Sequence, residues 1–593
     1  MPKQLMSGNE AIAYGAYLAG VRVAAAYPGT PSTEILENLA RYPGVYAEWA
    51  PNEKVAADVA AGAAYAGRRA LAAMKHVGLN VAAETLFYTS YTGIEAGLVL
   101  VTCDDPGMHS SQNEQDNRHY ARFAKVPMLE PADSEEAKQF TKLAFAISER
   151  FDTPVLVRST TRISHSKSPV EREDPPAPAP TESRPYRRDP AKYVMVPAYA
   201  RKRHPIIEER LKRLAEYFEE LEINRIEMGD PELGIIAAGV ACQYAREVFP
   251  EASFLKLGTT WPLPEEKIRR FAAAVKRVLV VEELDPFLEE QVRLLGIECR
   301  GKSVFPAVGE LSPGLVRECA RKAGLLPPGA GGQEPASSPA PAVQLPPRPP
   351  MLCPGCGHRP VFYALRLYNV LVFGDIGCYG LGVNPPLNGY HTSGCMGASI
   401  GVAHGADHAG VKERRAAIIG DSTFFHAGIP PLIDVLYNRG TTTVIVLDNR
   451  TTAMTGHQDH PGTGRTLLRQ ETVAVAVEDL ARAVGFRKVD VVDPFDFKTL
   501  RQLIREHVDS HEPSVLVARH PCVLLTREYK PAYRVDPERC NDCGVCRKLG
   551  CAPLIKVNGK MAIDPLLCVG CGFCAQVCGR KAIVPAGEGG DSQ

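Results

Sequence analysis

The sequence predicts an α/β protein of several domains that ends in a small, cysteine-rich α+β module. Three observations carry this expectation. The chain has 593 residues, enough for about three to five domains. Two apolar runs, residues 416–419 and 444–447, each end in a polar break, Gly420-Asp421-Ser422 and Asp448-Asn449, as buried parallel strands do. Eight cysteines lie between residues 540 and 578 in two regularly spaced runs.

The totals exclude several classes. Lys plus Arg and Asp plus Glu are 68 each, so no bulk field favours nucleic acid or an anionic membrane. No long uncharged apolar run is present, so no membrane span is expected. Glu10 falls inside any apolar core that a leader would need, and a cytoplasmic protein is expected. In that compartment the 17 cysteines point to metal or redox use rather than disulfides.

Residues 1–165 form the first unit. A strand at 21–26 breaks at Tyr27-Pro28-Gly29-Thr30-Pro31-Ser32, a helical run of small residues fills 53–67, and further strands fall at 96–102 and 154–157. This is the layered α/β pattern. Residues 166–200 are rich in Pro and charge and are expected to be an extended linker. Residues 201–325 open with apolar residues at helical spacing; the basic start of that helix suits a solvated face. Strands follow at 233–239 and 277–283, and Cys242, Cys299 and Cys319 suit inert thiols. A Pro/Ala-rich linker, 326–350, leads to a domain at 351–530, and the cysteine-rich tail fills 531–593.

The domain at 351–530 carries the chemistry. In open α/β sheets ligands sit beyond the carboxyl ends of the strands, so Asp421 and Asn449 are expected to face one crevice. Mg²⁺ takes oxygen ligands. Asp421, the Asn449 amide oxygen and a backbone carbonyl near Thr451 would form a half-shell open to a diphosphate. Two plain strand-end turns would use the same residues.

Gly420-Asp421-Ser422 with the later Asn449 resembles the diphosphate–magnesium motif of thiamine diphosphate enzymes, usually GDG…NN; Ser422 stands for its second Gly and Asp448 for its first Asn. The first unit resembles the pyrimidine-binding domain of 2-oxoacid:ferredoxin oxidoreductases, through YPGTPSTE (27–34), Asn52-Glu53-Lys54 and MKHVGLN (74–80). The fold implied is a pair of transketolase-like thiamine diphosphate-binding domains, with 201–325 similar to the transketolase C-terminal domain. The resemblance makes Glu53 the carboxylate that hydrogen-bonds the aminopyrimidine ring, a role that needs a dry cleft; a helix-start Glu complementing the helix dipole is the alternative. It sets Thr30 near the substrate's carbonyl or carboxylate, although turn chemistry already accounts for Pro28, Gly29 and Pro31. It also sets Gly357, His358, Gly420 and Ser422 against the cofactor. His76 is given no catalytic role.

The tail reads Cys540-x2-Cys543-x2-Cys546-x4-Cys551 and Cys568-x2-Cys571-x2-Cys574-x3-Cys578. It resembles a bacterial ferredoxin with two [4Fe–4S] clusters, in which the fourth Cys of each run ligates the other cluster. One cluster would take Cys540, Cys543, Cys546 and Cys578, the other Cys568, Cys571, Cys574 and Cys551. The x4 spacing, Ala552 before Pro553 and Gly579 in place of Pro depart from the pattern. Zinc is the rival, but its sites use C-x2-C pairs rather than repeated triplets. Cys353-x2-Cys356-Gly357, Cys378 and Cys522 are similar to the ligands of the proximal cluster in pyruvate:ferredoxin oxidoreductases, which implies a third [4Fe–4S] cluster; turn and core thiols are the alternative. Cys103 and Cys395 receive no role.

As a whole the chain resembles the large (alpha) subunits of the indolepyruvate:ferredoxin oxidoreductase family. That resemblance implies oxidative decarboxylation of an arylpyruvate such as indole-3-pyruvate with coenzyme A, giving an aryl-acetyl-CoA, CO₂ and reduced ferredoxin. It implies thiamine diphosphate and Mg²⁺, and a separate smaller beta subunit carrying the gamma-type domain in an α2β2 assembly. Arg547-Lys548 and Arg580-Lys581 suit docking of an acidic ferredoxin, or ordinary surface charge. The alternatives are a pyruvate or 2-oxoglutarate enzyme, a non-oxidative 2-oxoacid decarboxylase, and an electron relay that binds no thiamine.

Overall fold

The computed structural model describes residues 2–174, 186–326 and 350–586. The chain divides into two units, residues 1–344 and 345–593.

In the first unit small and β-branched side chains build a seven-stranded sheet. Its order is Thr259–Trp261, Met128–Leu129, Val155–Thr160, Leu98–Asp104, Ala70–Lys75, Val23–Ala26, Tyr46–Trp49. All neighbours are parallel except the first pair. Every residue of Leu98–Asp104 is buried, as expected of a parallel strand covered on both faces. The strand order reverses between Val23–Ala26 and Ala70–Lys75, and at such a switch point the strand ends open a crevice.

A second, five-stranded sheet runs Cys299–Arg300, Val278–Val281, Asp230–Ala238, Ala252–Leu257, Arg225–Glu227. Ile235, Ala237, Leu279 and Val281 fill one face and Ile236, Leu255 and Val280 the other. The segment 201–325 is not self-contained. Thr259–Trp261 leaves it to pair antiparallel with Met128–Leu129 in the first sheet.

The segment expected to be a linker, 166–200, is partly ordered structure. Lys167–Glu171 pairs antiparallel with Lys3–Ser7, and Val170 is buried there. Pro190 and Pro197 begin the helices Pro190–Tyr193 and Pro197–Glu220; proline at a first helical position costs no hydrogen bond, so proline content misleads here. The most Pro-rich part, 175–185, lies outside the described residues, as do residues 327–349 of the second expected linker.

The second unit holds a six-stranded parallel sheet, ordered Thr392–Ser393, Leu371–Gly374, Arg415–Gly420, Thr443–Asp448, Ser514–Arg519, Lys488–Val492. Ile418, Ile445, Leu447 and Leu516 face one core, and Ala417, Ile419, Val444, Val446 and Val517 the other. The cysteine-rich tail adds two short hairpins, Tyr533–Val535 with Ile583–Pro585 and Leu554–Val557 with Lys560–Ile563. Phe573 anchors the tail: its ring lies 5.0 Å from that of Phe497 and 6.0 Å from that of Tyr363. Burying such a ring contributes about 1.5–3 kcal/mol. Among the described residues no helix is long and apolar enough to cross a membrane.

Candidate active site and cluster sites

Strands Arg415–Gly420 and Thr443–Asp448 are parallel neighbours with Gly420 opposite Leu447. Asp421 and Asn449 therefore leave the same end of the sheet. Asp421 is buried. Its Oδ2 accepts the Arg450 backbone N–H at 2.8 Å and lies 3.2 Å from His460 Nε2, while Oδ1 accepts the Ser422 N–H at 2.9 Å. Burial works to raise this carboxyl, but His460 and the hydrogen bonds outweigh it, and its pKa is lowered. The Asn449 amide oxygen accepts the Thr451 N–H at 3.2 Å, and the Thr452 hydroxyl donates to Ser422 Oγ at 2.9 Å. The structure thus gathers Asp421, Ser422, Asn449 and Thr451 at one sheet end. A carboxylate beside an amide oxygen is a donor set that suits Mg²⁺.

Two residues here escaped the sequence reading. Asp375, also at a strand end, accepts N–H groups from Ile376, Gly397 and Ser399 at 2.9, 2.9 and 3.0 Å and so fixes the loop before the helix Ala398–His408. It follows an apolar run, the same signal that marked Asp421. His460 has no such signal. Gly397 has φ +89°, a left-handed value, and a Cβ there would lie 2.6 Å from Ala427. The helix that follows has no side-chain cap, and its first N–H groups, of Ala398 and Ser399, go to the Cys395 carbonyl and to Asp375. A Cβ at Gly420 would lie 2.7 Å from the Tyr379 ring. His358 is buried; burial pushes its pKa down to about 4, against the nearby Asp421 charge. At Gly357 a Cβ would lie 3.1 Å from His520 Cβ.

The cysteines converge in three sets. Cys353 and Cys378 each lie within electrostatic reach of Cys522, and Cys356 within reach of Cys353 and Cys378. Burial pushes the Cys356 thiol up to about 12 and that of Cys378 to about 11. Cys522 Sγ also stands 3.7 Å from His457 Nε2. In the tail, Cys546 is near Cys543, Cys578 and Cys540. Cys574 is near Cys571, Cys551 and Cys568, and these four line one cavity. Burial raises Cys551 to about 11 and Cys574 to about 12. Enclosed thiols that resist ionisation alone fit a cationic metal core, which displaces their protons on binding. No disulfide joins any of them. Cys103, Cys242 and Cys299 are buried elsewhere, and Cys395 is exposed.

In the first unit Glu53 is the first residue of the helix Glu53–Tyr65 and is buried. Asn52 caps that helix by accepting the Val55 N–H at 2.9 Å. A Cβ at Gly78 would lie 2.7 Å from Glu53 Oε1, so the glycine of MKHVGLN makes room for this carboxylate. Thr30 stands at the switch-point crevice, half-buried, and its carbonyl lies 3.4 Å from the Ser110 hydroxyl. Lys75, at the end of the adjacent strand, donates to the Ser110 carbonyl at 2.6 Å. Burial lowers the Lys75 pKa, with Asp105 opposing. Lys75 and Ser110 were not singled out by sequence, because they meet Thr30 only through sheet pairing and a loop. His76 is buried with Nε2 3.0 Å from Asn113 Oδ1.

Three family models match the chain. The thiamine diphosphate-binding model of pyruvate flavodoxin/ferredoxin oxidoreductases matches residues 14–230. The C-terminal TPP-binding domain of thiamine pyrophosphate enzymes matches 375–518, and a 4Fe-4S binding domain matches 561–584. The chain is 44% identical over 610 residues to indolepyruvate oxidoreductase subunit IorA of Archaeoglobus fulgidus, covering 98% of each. It is 40% identical over 620 residues to the subunit of the same name from Methanothermobacter thermautotrophicus, covering 99% of this chain and 98% of the relative. A solved 2-oxoglutarate:ferredoxin oxidoreductase from Magnetococcus marinus aligns with TM-score 0.46 and 18% identity, over 54% of this chain and 65% of that one.

Proposed function

The chain belongs to the family of indolepyruvate oxidoreductase IorA subunits, within the 2-oxoacid:ferredoxin oxidoreductases, and from that premise we infer that it catalyses the oxidative decarboxylation of an arylpyruvate such as indole-3-pyruvate. The observation that carries this reading is similarity over nearly the whole length of the relatives. It is supported by the buried Asp421 beside Asn449 at one sheet end. Coenzyme A takes the acyl group and ferredoxin the electrons.

Bound thiamine diphosphate supplies a sink for the electron pair left when CO₂ departs from a 2-oxoacid. The protein's part is to bind, orient and hold protons. Asp421, the Asn449 amide oxygen and a carbonyl near Thr451 would hold Mg²⁺ to the diphosphate, with His460 and the Arg450 N–H keeping Asp421 ionised and aimed. Glu53 offers a buried carboxylate to the aminopyrimidine and holds a proton there. The Thr30 hydroxyl orients the substrate's carbonyl or carboxylate. Cys540, Cys543, Cys546 and Cys578 would hold one [4Fe–4S] cluster, Cys551, Cys568, Cys571 and Cys574 a second, and Cys353, Cys356, Cys378 and Cys522 a third. A smaller partner subunit completes an α2β2 enzyme. The exposed pairs Arg547-Lys548 and Arg580-Lys581 suit an acidic ferredoxin.

The test is anaerobic dye reduction by the chain co-expressed with its small subunit, on indolepyruvate, phenylpyruvate, pyruvate and 2-oxoglutarate, with and without coenzyme A. Coenzyme A-dependent reduction with the aryl acids alone is expected. Activity confined to pyruvate or 2-oxoglutarate would overturn the substrate class. Glu53→Gln should cut turnover by about 10²–10⁴-fold while thiamine diphosphate still binds.

A further inference from the structure

Arg359 is a buried guanidinium whose hydrogen bonds all go to backbone carbonyls. Among the described residues it forms no ion pair with a carboxylate, and its Nε has no hydrogen-bond partner. Buried charges are ordinarily paired, because an isolated one is costly to desolvate. Arg210 of the first unit is also buried on carbonyls and a hydroxyl alone, so a missing acid by itself names no partner, and what Arg359 serves depends on where it stands.

The carbonyls say where. Nη1 donates to Leu549 at 2.7 Å and Gly550 at 2.5 Å, the two residues before Cys551. Nη2 donates to Leu352 and, at 3.2 Å, to Cys353. One planar fork therefore ties the loop of the central cysteine set to the loop of a tail set. Arg359 lies within electrostatic reach of Cys353, Cys356, Cys551 and Cys571. Cys356 and Arg359 also line the cavity formed by Cys551, Cys568, Cys571 and Cys574.

We propose that Arg359 is the shared counter-cation of two neighbouring iron–sulfur sites, Cys353/Cys356/Cys378/Cys522 and Cys551/Cys568/Cys571/Cys574, and that it sets the potentials of both. This rests on the cluster assignments made above. Four thiolates leave such a site net anionic, and reduction adds one further negative charge, so net charge and hydrogen bonding tune its potential. A fixed cation in a poorly screened interior stabilises the reduced form more than the oxidised one. Placed against both sites, it raises the two potentials together. One electron can then leave the reduced central site and reduce the tail site without a steep step, and no proton moves. Arg359 is thus a positioning residue that acts through charge.

The experiment is an EPR-monitored redox titration of the anaerobic holoenzyme, with iron counted, for wild type, Arg359→Gln and Arg359→Lys. In Arg359→Gln two of the three cluster potentials should fall by about tenfold in the reduction equilibrium, about 59 mV for one electron, while the third stays in place. Arg359→Lys keeps the charge but loses the planar fork. Both neighbouring potentials should stay within about threefold of wild type in that variant, and Arg359→Met, a second neutral replacement, takes the place of Gln if the Gln protein does not load. Unchanged potentials in Arg359→Gln at full iron content would overturn the proposal. So would an equal fall of all three potentials, or a Lys variant that falls as far as Gln. About 12 iron atoms per wild-type chain are expected. About eight, with a single shifted potential, would instead remove the central cluster and with it the shared role.

Discussion

Arg118 and Arg158 in one unit and Arg359 in the other are buried in opposite ways. In the first, Arg118 and Arg158 are buried among acids: Arg118 pairs with Asp116 at 2.5 Å and Glu282 at 2.7 Å, and Arg158 with Asp104 at 2.7 Å and Glu130 at 2.6 Å. In the second, the hydrogen bonds of Arg359 all go to backbone carbonyls, and cysteines line the same cavity. The paired arginines join segments of one unit, since Glu282 directly follows the strand Val278–Val281 of the five-stranded sheet while Arg118 belongs to the helix Arg118–Ala124 beside the other. Their charge is spent within the fold. Arg359 keeps an unspent charge, and the groups around it are the ones that would hold an anionic cofactor.

The largest effect follows from breaking the first arrangement. Arg118→Met would leave Asp116 and Glu282 buried without their partner. Removing one member of a buried pair costs about 3–5 kcal/mol. Chemical unfolding followed by a probe in the first unit should show that loss, while the EPR spectrum of the clusters in the second stays as in wild type. A loss below about 1 kcal/mol would mean that the pairs do not hold the segments together.

A smaller effect comes from the surplus of acid in the same cluster. Burial pushes Glu283 up from 4.5 to about 7, with the Leu311 N–H and Arg158 opposing. The folded pKa lies above the unfolded one, so the folded state binds the proton more tightly. The stabilisation is therefore fully present below about pH 4.5 and is lost as pH rises to about 7. Glu283→Gln, which can still accept the Leu311 N–H, should stabilise the first unit by on the order of 1–3 kcal/mol at about pH 8. Near pH 4 it should change little. A gain equal at both pH values would place the effect outside this titration.

What the sequence disclosed depended on how far a signal reaches along the chain. The strand ends at Asp421 and Asn449 and the spacing of the tail cysteines are local patterns, and the structure brings those residues together. Glu53 was marked by the family resemblance of Asn52-Glu53-Lys54, but the glycine that makes room for it, Gly78, lies in another helix. Where the segment 166–200 is described it holds a strand and helix starts rather than a plain linker, because proline composition does not distinguish a helix start from an extended connector. Arg359 gave no signal at all. Its partners at Leu549 and Gly550 lie about 190 positions away, and its lack of an acid becomes visible only when every neighbour is known.

The smallest effect sets the lower limit of the comparison. Arg414 and Asp509 in the second unit form a forked pair at 2.6 and 3.2 Å, with geometry much like that of Arg118 and Asp116. Their side chains, however, remain 42% and 37% exposed. Water already solvates both groups, so little is regained by pairing them and little is lost by parting them. Arg505 stands 3.7 Å from Asp509 and can take over part of the interaction. Arg414→Ala should therefore cost about 0.2–1 kcal/mol, and the cost should shrink further in high salt, which screens exposed charges and spares buried ones. If Arg414→Ala instead cost as much as Arg118→Met, burial would not be what separates these guanidinium groups. The missing acid at Arg359 would then need no counter-charge from a cluster to explain it.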